Sequence, residues 1–138
     1  MMEVEDRVVE FVASGPPPDA AWFAARQPGV VRYLELRLGD GTELLGVGLH
    51  AASLVHAAYE ASLGVAPRRL PSTELEQTEA ELVRECDAPV EPSFVARQPA
   101  LALFVAQVVS TPPLPLSEDE ATRLGLSLAT VVHAFDLV

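Results

Sequence analysis

The sequence predicts an all-α fold: a small helical bundle built from two tandem pseudo-repeats related by a pseudo-two-fold axis. The first observation is a repeated segment, since residues 23–28 (FAARQP) are closely matched by residues 94–99 (FVARQP). The second is that apolar residues recur at the helical period along most of the chain. The third is that proline, glycine and capping clusters separate these stretches at helix-length intervals.

Further matches extend the internal similarity beyond the repeated segment. Val47-Gly48-Leu49 aligns with Leu124-Gly125-Leu126, and the same register places residues 54–57 (LVHA) on residues 131–134 (VVHA). Three matches in one order indicate a duplicated unit, with a long buried helix at the end of each copy. We therefore expect one helical domain over residues 1–138, with pseudo-repeat 1 at about 1–64, a linker at about 65–71 and pseudo-repeat 2 at about 72–138.

The first two helices are predicted to be short. Residues 3–14 place these apolar side chains on one face: Val4, Val8, Phe11 and Val12. The glycine and prolines that follow end this helix. Asp19 stands where an N-cap belongs, ahead of a short helix that carries Trp22 and ends at Gln27.

Residues 29–49 allow two interpretations. Leu34, Leu36 and Leu38 alternate with charged residues, as in a strand, and residues 40–43 (DGTE) begin with the Asp-Gly pair typical of a hairpin. The same four residues have capping-box spacing, and the spacing from Leu34 to Leu38 also fits a helix. We favour helix, because the second copy has proline-rich residues where the hairpin turn would lie.

The long helix predicted over residues 42–63 is apolar on most sides, which is typical of a buried helix. Gly46 and Gly48 each weaken a helix by roughly 1 kcal/mol relative to alanine. Gly125 recurs at the position that matches Gly48. We interpret this repeated glycine as a site of close helix–helix approach.

The second half repeats the order of the first. A helix opens at the capping box of residues 73–76, carries five glutamates outside and is followed by a break at residues 87–92. Its inward residues are expected to be Leu75, Leu82, Val83 and Cys86. In the helix over residues 99–110 they are expected to be Ala100, Leu103, Phe104 and Val108. Ser117 and Glu120 form the clearest capping box, ahead of the last helix.

Composition and charge narrow the classes of partner. The formal net charge is −11 at pH 7, so phosphate backbones and anionic membranes are repelled, and we expect no nucleic acid and no membrane as partners. Another protein, in particular a basic one, is allowed. The acidic start and the single cysteine, Cys86, lead us to expect a cytoplasmic protein without a disulfide. The absence of Lys, Ile and Asn indicates a high-GC bacterial genome.

The histidines suggest one candidate site. His56 and His133 occupy matching positions in the two copies, with Glu60 and Asp136 about one helical turn further on. Two histidines and two carboxylates on facing helices could hold a metal ion. The spacing matches no standard ligand motif, so the simpler interpretation is a pair of core histidines that are hydrogen-bonded to neighbouring groups.

Arg26, Arg97 and Trp22 are the candidate partner-binding residues. Two guanidinium groups at matching positions could clamp an anionic ligand or a partner's carboxylates, and aromatic residues next to arginine are typical of binding hot spots. The simpler interpretation pairs each arginine with the acidic helix of its own repeat and places Trp22 at the end of the bundle.

We expect no catalytic residues and no cofactor, because the sequence has no nucleophile elbow and no phosphate-binding glycine loop. The leading hypothesis is a non-enzymatic protein–protein interaction module, which acts as an adaptor or as an inhibitor of a partner protein. Two alternatives stay open. One is a metal- or small-ligand-binding helical protein, with or without enzymatic activity, and the other is a self-associating structural subunit, that is, a homo-oligomer.

Overall fold

Eight α-helices account for most of the chain in the computed structural model, which describes residues 3–16, 18–86 and 93–136. In chain order they are α1 (Asp6–Ser14), α2 (Ala20–Arg26), α3 (Pro28–Leu38), α4 (Glu43–Leu63), α5 (Ser72–Cys86), α6 (Ser93–Arg97), α7 (Pro99–Ser110) and α8 (Glu118–Asp136). No strand occurs among the described residues, so the predicted all-α class is confirmed. The predicted break at residues 87–92 lies outside the described residues, and the pseudo-repeat organisation stays a prediction.

Two of the predicted caps hold helix starts in place. The carboxylate of Asp19 accepts a hydrogen bond from the backbone N–H of Ala21 (2.8 Å) at the start of α2. Ser117 and Glu120 form a reciprocal capping box ahead of α8, with N···O distances of 3.0 and 3.1 Å. Each bond satisfies an N–H group that the first turn of a helix leaves without an intrahelical partner.

Two other caps differ from the prediction. The N-cap of α4 is Thr42 rather than Asp40, since the Thr42 hydroxyl accepts from the backbone N–H of Leu45 (3.1 Å). α5 begins at Ser72, so Thr73 lies inside its first turn instead of capping it. The helix starts earlier because the carbonyl of Pro71 already accepts hydrogen bonds from two backbone N–H groups of that turn.

The ambiguous stretch 29–49 is helical on both sides of a short turn. α3 ends at Leu38, and Gly39 and Gly41 follow with φ angles of 96° and 76°. Only glycine adopts this region without strain, so the Asp-Gly pair serves a helix–helix turn rather than a hairpin. The strand alternative for residues 29–49 is therefore wrong.

The two longest helices lie at the centre of the bundle. α4 packs against α1, α2, α3, α7 and α8, and α8 packs against α3, α4, α5, α6 and α7. Their core stripes include Leu45, Val55 and Tyr59 on α4 and Leu124, Leu128 and Val131 on α8. On the outside, α1 rests on α4 and α7, and α5 rests on α8 and α3.

Three side chains expected to face inward are exposed. Phe11 is 77% exposed, Leu103 55% and Val83 41%. In α7 the buried positions are instead Leu101 and Val105. That helix is apolar on every side, so its periodicity does not identify the buried face.

The predicted close approach between helices is found at Gly48, whereas Gly125 lies at an ordinary contact distance. A Cβ atom at Gly48 would lie 2.4 Å from Cδ1 of Leu38, and one at Gly125 would lie 3.4 Å from Cγ2 of Val109. Gly46 differs from both, since no atom lies within 4 Å of the position its Cβ would take. The side of α4 that carries Gly46 is therefore open.

Two buried glutamines connect distant parts of the chain. Gln27 and Gln98 have nearly the same backbone angles (φ −131° for both, ψ 61° and 63°) and are 0% exposed. The Gln27 amide accepts from the backbone N–H of Leu70 (3.1 Å), and the Gln98 amide accepts from that of Val4 (2.9 Å). The end of the predicted linker is thus tied into the core, with Leu70 1% exposed.

Candidate binding groove

An apolar groove with a volume of about 760 Å³ lies between α4 and α7. Ala13 from α1 contributes to its lining, as do Thr111, Pro113 and Leu114, which follow α7. The apolar residues from the two main helices are Val47, Ala51 and Leu54 of α4 and Phe104 and Val108 of α7, with Gly46 between them. This space is referred to below as the α4–α7 groove.

Few polar groups reach the α4–α7 groove. Its lining includes Glu43, His50, Gln107 and Thr111, and the Thr111 hydroxyl donates to the carbonyl of Gln107 (2.7 Å). Glu43 is the only Asp, Glu or Arg among the lining residues. A largely apolar concave site with a small number of polar groups is typical of binding sites in proteins.

A polar network closes the surface where α3, α5 and α8 meet. The Tyr33 hydroxyl donates to Glu79 (2.8 Å), and Arg37 donates to both carboxylate oxygens of Glu79 (2.8 Å each). Arg123 of α8 donates to the carbonyl of Arg37 (3.2 Å). Burial raises the pKa of Glu79, but the hydrogen bonds from Arg37 and Tyr33 outweigh burial and lower that pKa overall.

His56 lies in an aromatic environment at the centre of the bundle. Its ring is 0% exposed and makes edge-to-face contacts with Trp22, Phe23 and Phe135 at centroid distances of 5.5, 5.6 and 5.8 Å. Neither ring nitrogen has a hydrogen-bond partner among the described residues. Burial lowers the pKa of His56, with Arg26 acting in the same direction and Glu60 opposing it.

His133 lies in a polar environment, although it matches His56 in sequence. Its Nδ1 is 3.2 Å from Nη2 of Arg97, which also forms an ion pair with Asp136. The amide of Gln98 donates to the other oxygen of Asp136 (3.0 Å). Burial is the main cause that lowers the pKa of His133. Arg97 thus forms an ion pair, as the simpler interpretation expects, but its partner lies on α8 rather than on α5.

The hypothetical metal ligands receive no support from this arrangement. No group of three or more His, Cys, Asp or Glu residues able to hold a metal ion occurs in the part of the chain that the structure describes. His56 faces aromatic rings, and Asp136 is bonded to Arg97 and Gln98. A metal site formed by His56, His133, Glu60 and Asp136 stays a prediction.

Trp22 and Arg26 form a stacked pair on α2. The guanidinium carbon of Arg26 lies 5.0 Å from the centre of the Trp22 ring, which is a cation–π distance. Trp22 is partly buried and also covers His56, while Arg26 is exposed. This pair lies apart from the lining of the α4–α7 groove, and a role in partner binding stays a prediction.

Sequence reasoning missed the groove residues Ala13, Gly46 and Val108. One signal was available, because α7 contains no charged residue although the chain is 21% charged. A helix on the outside of an acidic protein that carries no charge indicates a surface used for contact.

Comparison with protein-family models, with curated protein sequences and with solved structures found no match. Among the described residues, no helix combines the length and the apolar character needed to cross a membrane.

Proposed function

We propose that this protein is a non-enzymatic binding module that takes a segment of a partner protein into the α4–α7 groove. The observation that carries the proposal is the groove itself, which is apolar and open on a molecule with a net charge of −11. Contiguous apolar surface of this kind on a small protein usually marks an interaction site. Adaptors and inhibitors bind their partners in this way without chemistry of their own.

We also propose that the two halves are related by a pseudo-two-fold axis. Gln27 and Gln98 support the relation, since each accepts from a backbone N–H two residues before the first helix of the other half. The glycine contacts support it too, because Gly48 meets Leu38 and Gly125 meets Val109, which lie at matching positions. The helix neighbours of α1 and α5 correspond in the same way.

This relation accounts for the position of the groove. The register of the repeated segment pairs Tyr33 with Phe104 and Arg37 with Val108, and the second register pairs Arg123 with Gly46. Counting from the helix starts Ser72 and Asp6 pairs Glu79 with Ala13. The first member of each pair belongs to the closing network, and the second lines the groove. Small and apolar residues in place of a hydrogen-bonded network leave an open apolar surface on which a partner can bind.

A capture experiment with a filled groove tests the proposed function. The variant Ala13→Gln/Gly46→Gln fills the groove with polar side chains, and Gly46 has room for one. Leu36→Gln is the matched control, because Leu36 is 58% exposed and lies outside the groove lining. The measurement is the stoichiometry of proteins retained from extracts of the source cell by each purified bait.

We expect one protein to be retained in stoichiometric amount by the wild type and by Leu36→Gln, and to be lost from the filled variant. Equal retention by all three baits would show that binding occurs elsewhere on the surface. Sedimentation of the baits alone completes the test, because self-association that the filled variant abolishes would assign the groove to a second copy.

A further inference from the structure

We infer that the groove takes a basic amphipathic α-helix of the partner; this inference rests on the proposed function. The shape, the lining and the charge of the groove each point to one property of the occupant. They indicate its secondary structure, its apolar face and the sign of the charge on its flanking residues.

The shape of the groove points to a helix. On the closed face, α5 has 15 residues and lies against both α3 and α8. The corresponding helix α1 has nine residues and lies against α7 and α4. The groove begins at Ala13, in the last turn of α1. The walls of the groove, α7 and α4, are thus the counterparts of the two helices against which α5 lies on the closed face, and such a pair of helices accepts a third helix.

The lining determines the apolar face of the occupant. Val47, Ala51 and Leu54 follow one another at intervals of three and four residues along α4, and Phe104 and Val108 do so along α7. Two rows of apolar side chains at helical spacing can accept a third helix whose own apolar residues recur at i, i+3, i+4 and i+7. An extended segment would leave its backbone N–H and C=O groups unpaired against this apolar surface.

The rim determines the charge of the occupant. Glu43 lines the groove, and the exposed Glu10 lies one helical turn before Ala13 on α1. Neither α4 nor α7 contains an Arg or Lys residue, so no cation on the two main walls offsets these carboxylates. Flanking Lys or Arg residues on the occupant would complement this rim, and the net charge of −11 would attract them from a distance.

A set of three designed peptides tests the inference directly. Each has about 15 residues, near the length at which an isolated helix becomes marginally stable. The first carries a leucine stripe at helical spacing with flanking lysines, the second replaces each lysine by glutamate, and the third places a proline in the centre of the first. The measurement is the Kd from fluorescence anisotropy of labelled peptide with the full-length protein, its filled variant Ala13→Gln/Gly46→Gln and the double variant Glu10→Gln/Glu43→Gln.

We expect the lysine peptide to bind at least about tenfold more tightly than the other two, and to lose affinity in the filled variant. Glu10→Gln/Glu43→Gln should weaken the lysine peptide about threefold and reduce its salt dependence, since exposed charge pairs contribute little individually. Equal binding of the lysine and glutamate peptides would overturn the basic partner and leave the proposed function standing. Absence of binding by any peptide, with capture still lost in the filled variant, would overturn the helical occupant alone.

Discussion

Two faces of this protein differ although the proposed pseudo-two-fold relation pairs the helices that build them. On the face formed by α3, α5 and α8, Glu79 holds Tyr33 and Arg37 in a hydrogen-bonded network. On the face formed by α7, α1 and α4, the residues that this relation pairs with them line a groove of about 760 Å³. The framework beneath both faces is tied by equivalent bonds from Gln27 and Gln98.

The comparison separates the buried residues that stabilise the fold from the groove residues that are available for binding. Each proposed half has a buried glutamine and a glycine that meets a side chain of the preceding helix, as expected if both positions are needed for stability. The groove residues Ala13, Gly46 and Val108 are free to differ because their side chains carry no polar atom and so hold no hydrogen bond of the framework. The groove therefore costs the framework little, and the predictions below test this separation from the largest expected effect to the smallest.

The largest effect should come from the two buried glutamines. Gln27→Leu leaves the backbone N–H of Leu70 without its acceptor, and Gln98→Leu does the same to Val4. Each should lower the free energy of unfolding by about 2–4 kcal/mol, since a buried unpaired donor retains its full desolvation penalty. Urea denaturation measures both, with the exposed Gln77→Leu as a control expected to change little. A loss of stability in only one of these two variants would contradict the structural equivalence of Gln27 and Gln98.

The second effect compares the two faces at matching positions. Glu79→Ala should destabilise the protein by about 2 kcal/mol, because the Tyr33 hydroxyl and Arg37 lose a shared and largely buried partner. Ala13→Glu, at the corresponding exposed position beside the groove, should change stability by less than about 0.5 kcal/mol. Thermal unfolding of both variants under one buffer gives the comparison. Similar losses at the two positions would mean that the groove side is as tightly built as the closed side.

The third effect separates two glycines in one helix. Gly46→Ala should stabilise the protein by up to about 1 kcal/mol, because alanine favours the helix and Gly46 faces open space. Gly48→Ala should destabilise it by about 1 kcal/mol, because its Cβ would displace the buried Leu38 side chain and overpacking outweighs the propensity gain. Chemical denaturation should resolve the opposite signs. A gain at both positions would mean that Leu38 has room to move.

The smallest effect is the pH dependence that His56 contributes. Its pKa is lowered in the folded state by burial, so the unfolded chain binds more protons below a pH of about 6.5. The contribution of neutral His56 to the free energy of unfolding is therefore fully present above that pH and is lost as the pH falls below it. The variant His56→Phe fits the aromatic surroundings and removes both unpaired nitrogens. Between pH 8 and pH 5 it should therefore lose less stability than the wild type.

His133→Phe is the matched comparison for that variant. It should be less stable than the wild type at both pH values, because Arg97 loses its contact with Nδ1. Urea titrations at pH 8 and pH 5 measure the effects. Trp22, the single tryptophan, lies beside His56 and serves as the fluorescence probe. A pH dependence of His56→Phe equal to that of the wild type would show that other groups cause it.

The helices were predictable because local signals fix them. Asp19 and the Ser117–Glu120 capping box are decided by bonds within one turn, and the apolar stripe of α8 is unambiguous. The repeated Arg-Gln-Pro segment identified a structurally important position. Its glutamine, rather than its arginine, turned out to be the buried residue, since polarity alone does not tell which side chain faces a distant backbone.

The groove was not predictable from the sequence, for a physical reason. It depends on the sizes of side chains on α1, α4 and α7, which come together only in the folded chain. Gly46 and Gly48 carry the same cost to helix propensity in the sequence, yet Gly46 faces open space and Gly48 meets the Leu38 side chain. Likewise, α7 is apolar all round, so Leu101 and Leu103 could not be told apart before their neighbours were known.

The most direct test of the binding groove is a map of amide chemical shifts in the ¹⁵N-labelled protein. The chain would be titrated with the stoichiometric partner obtained by capture, or with the lysine-flanked peptide. We predict that the largest shift changes fall on residues 43–54, 104–108 and 111–114, while the amides of Tyr33, Arg37 and Glu79 stay unchanged. Changes concentrated around those three residues would place binding on the closed face and contradict the account.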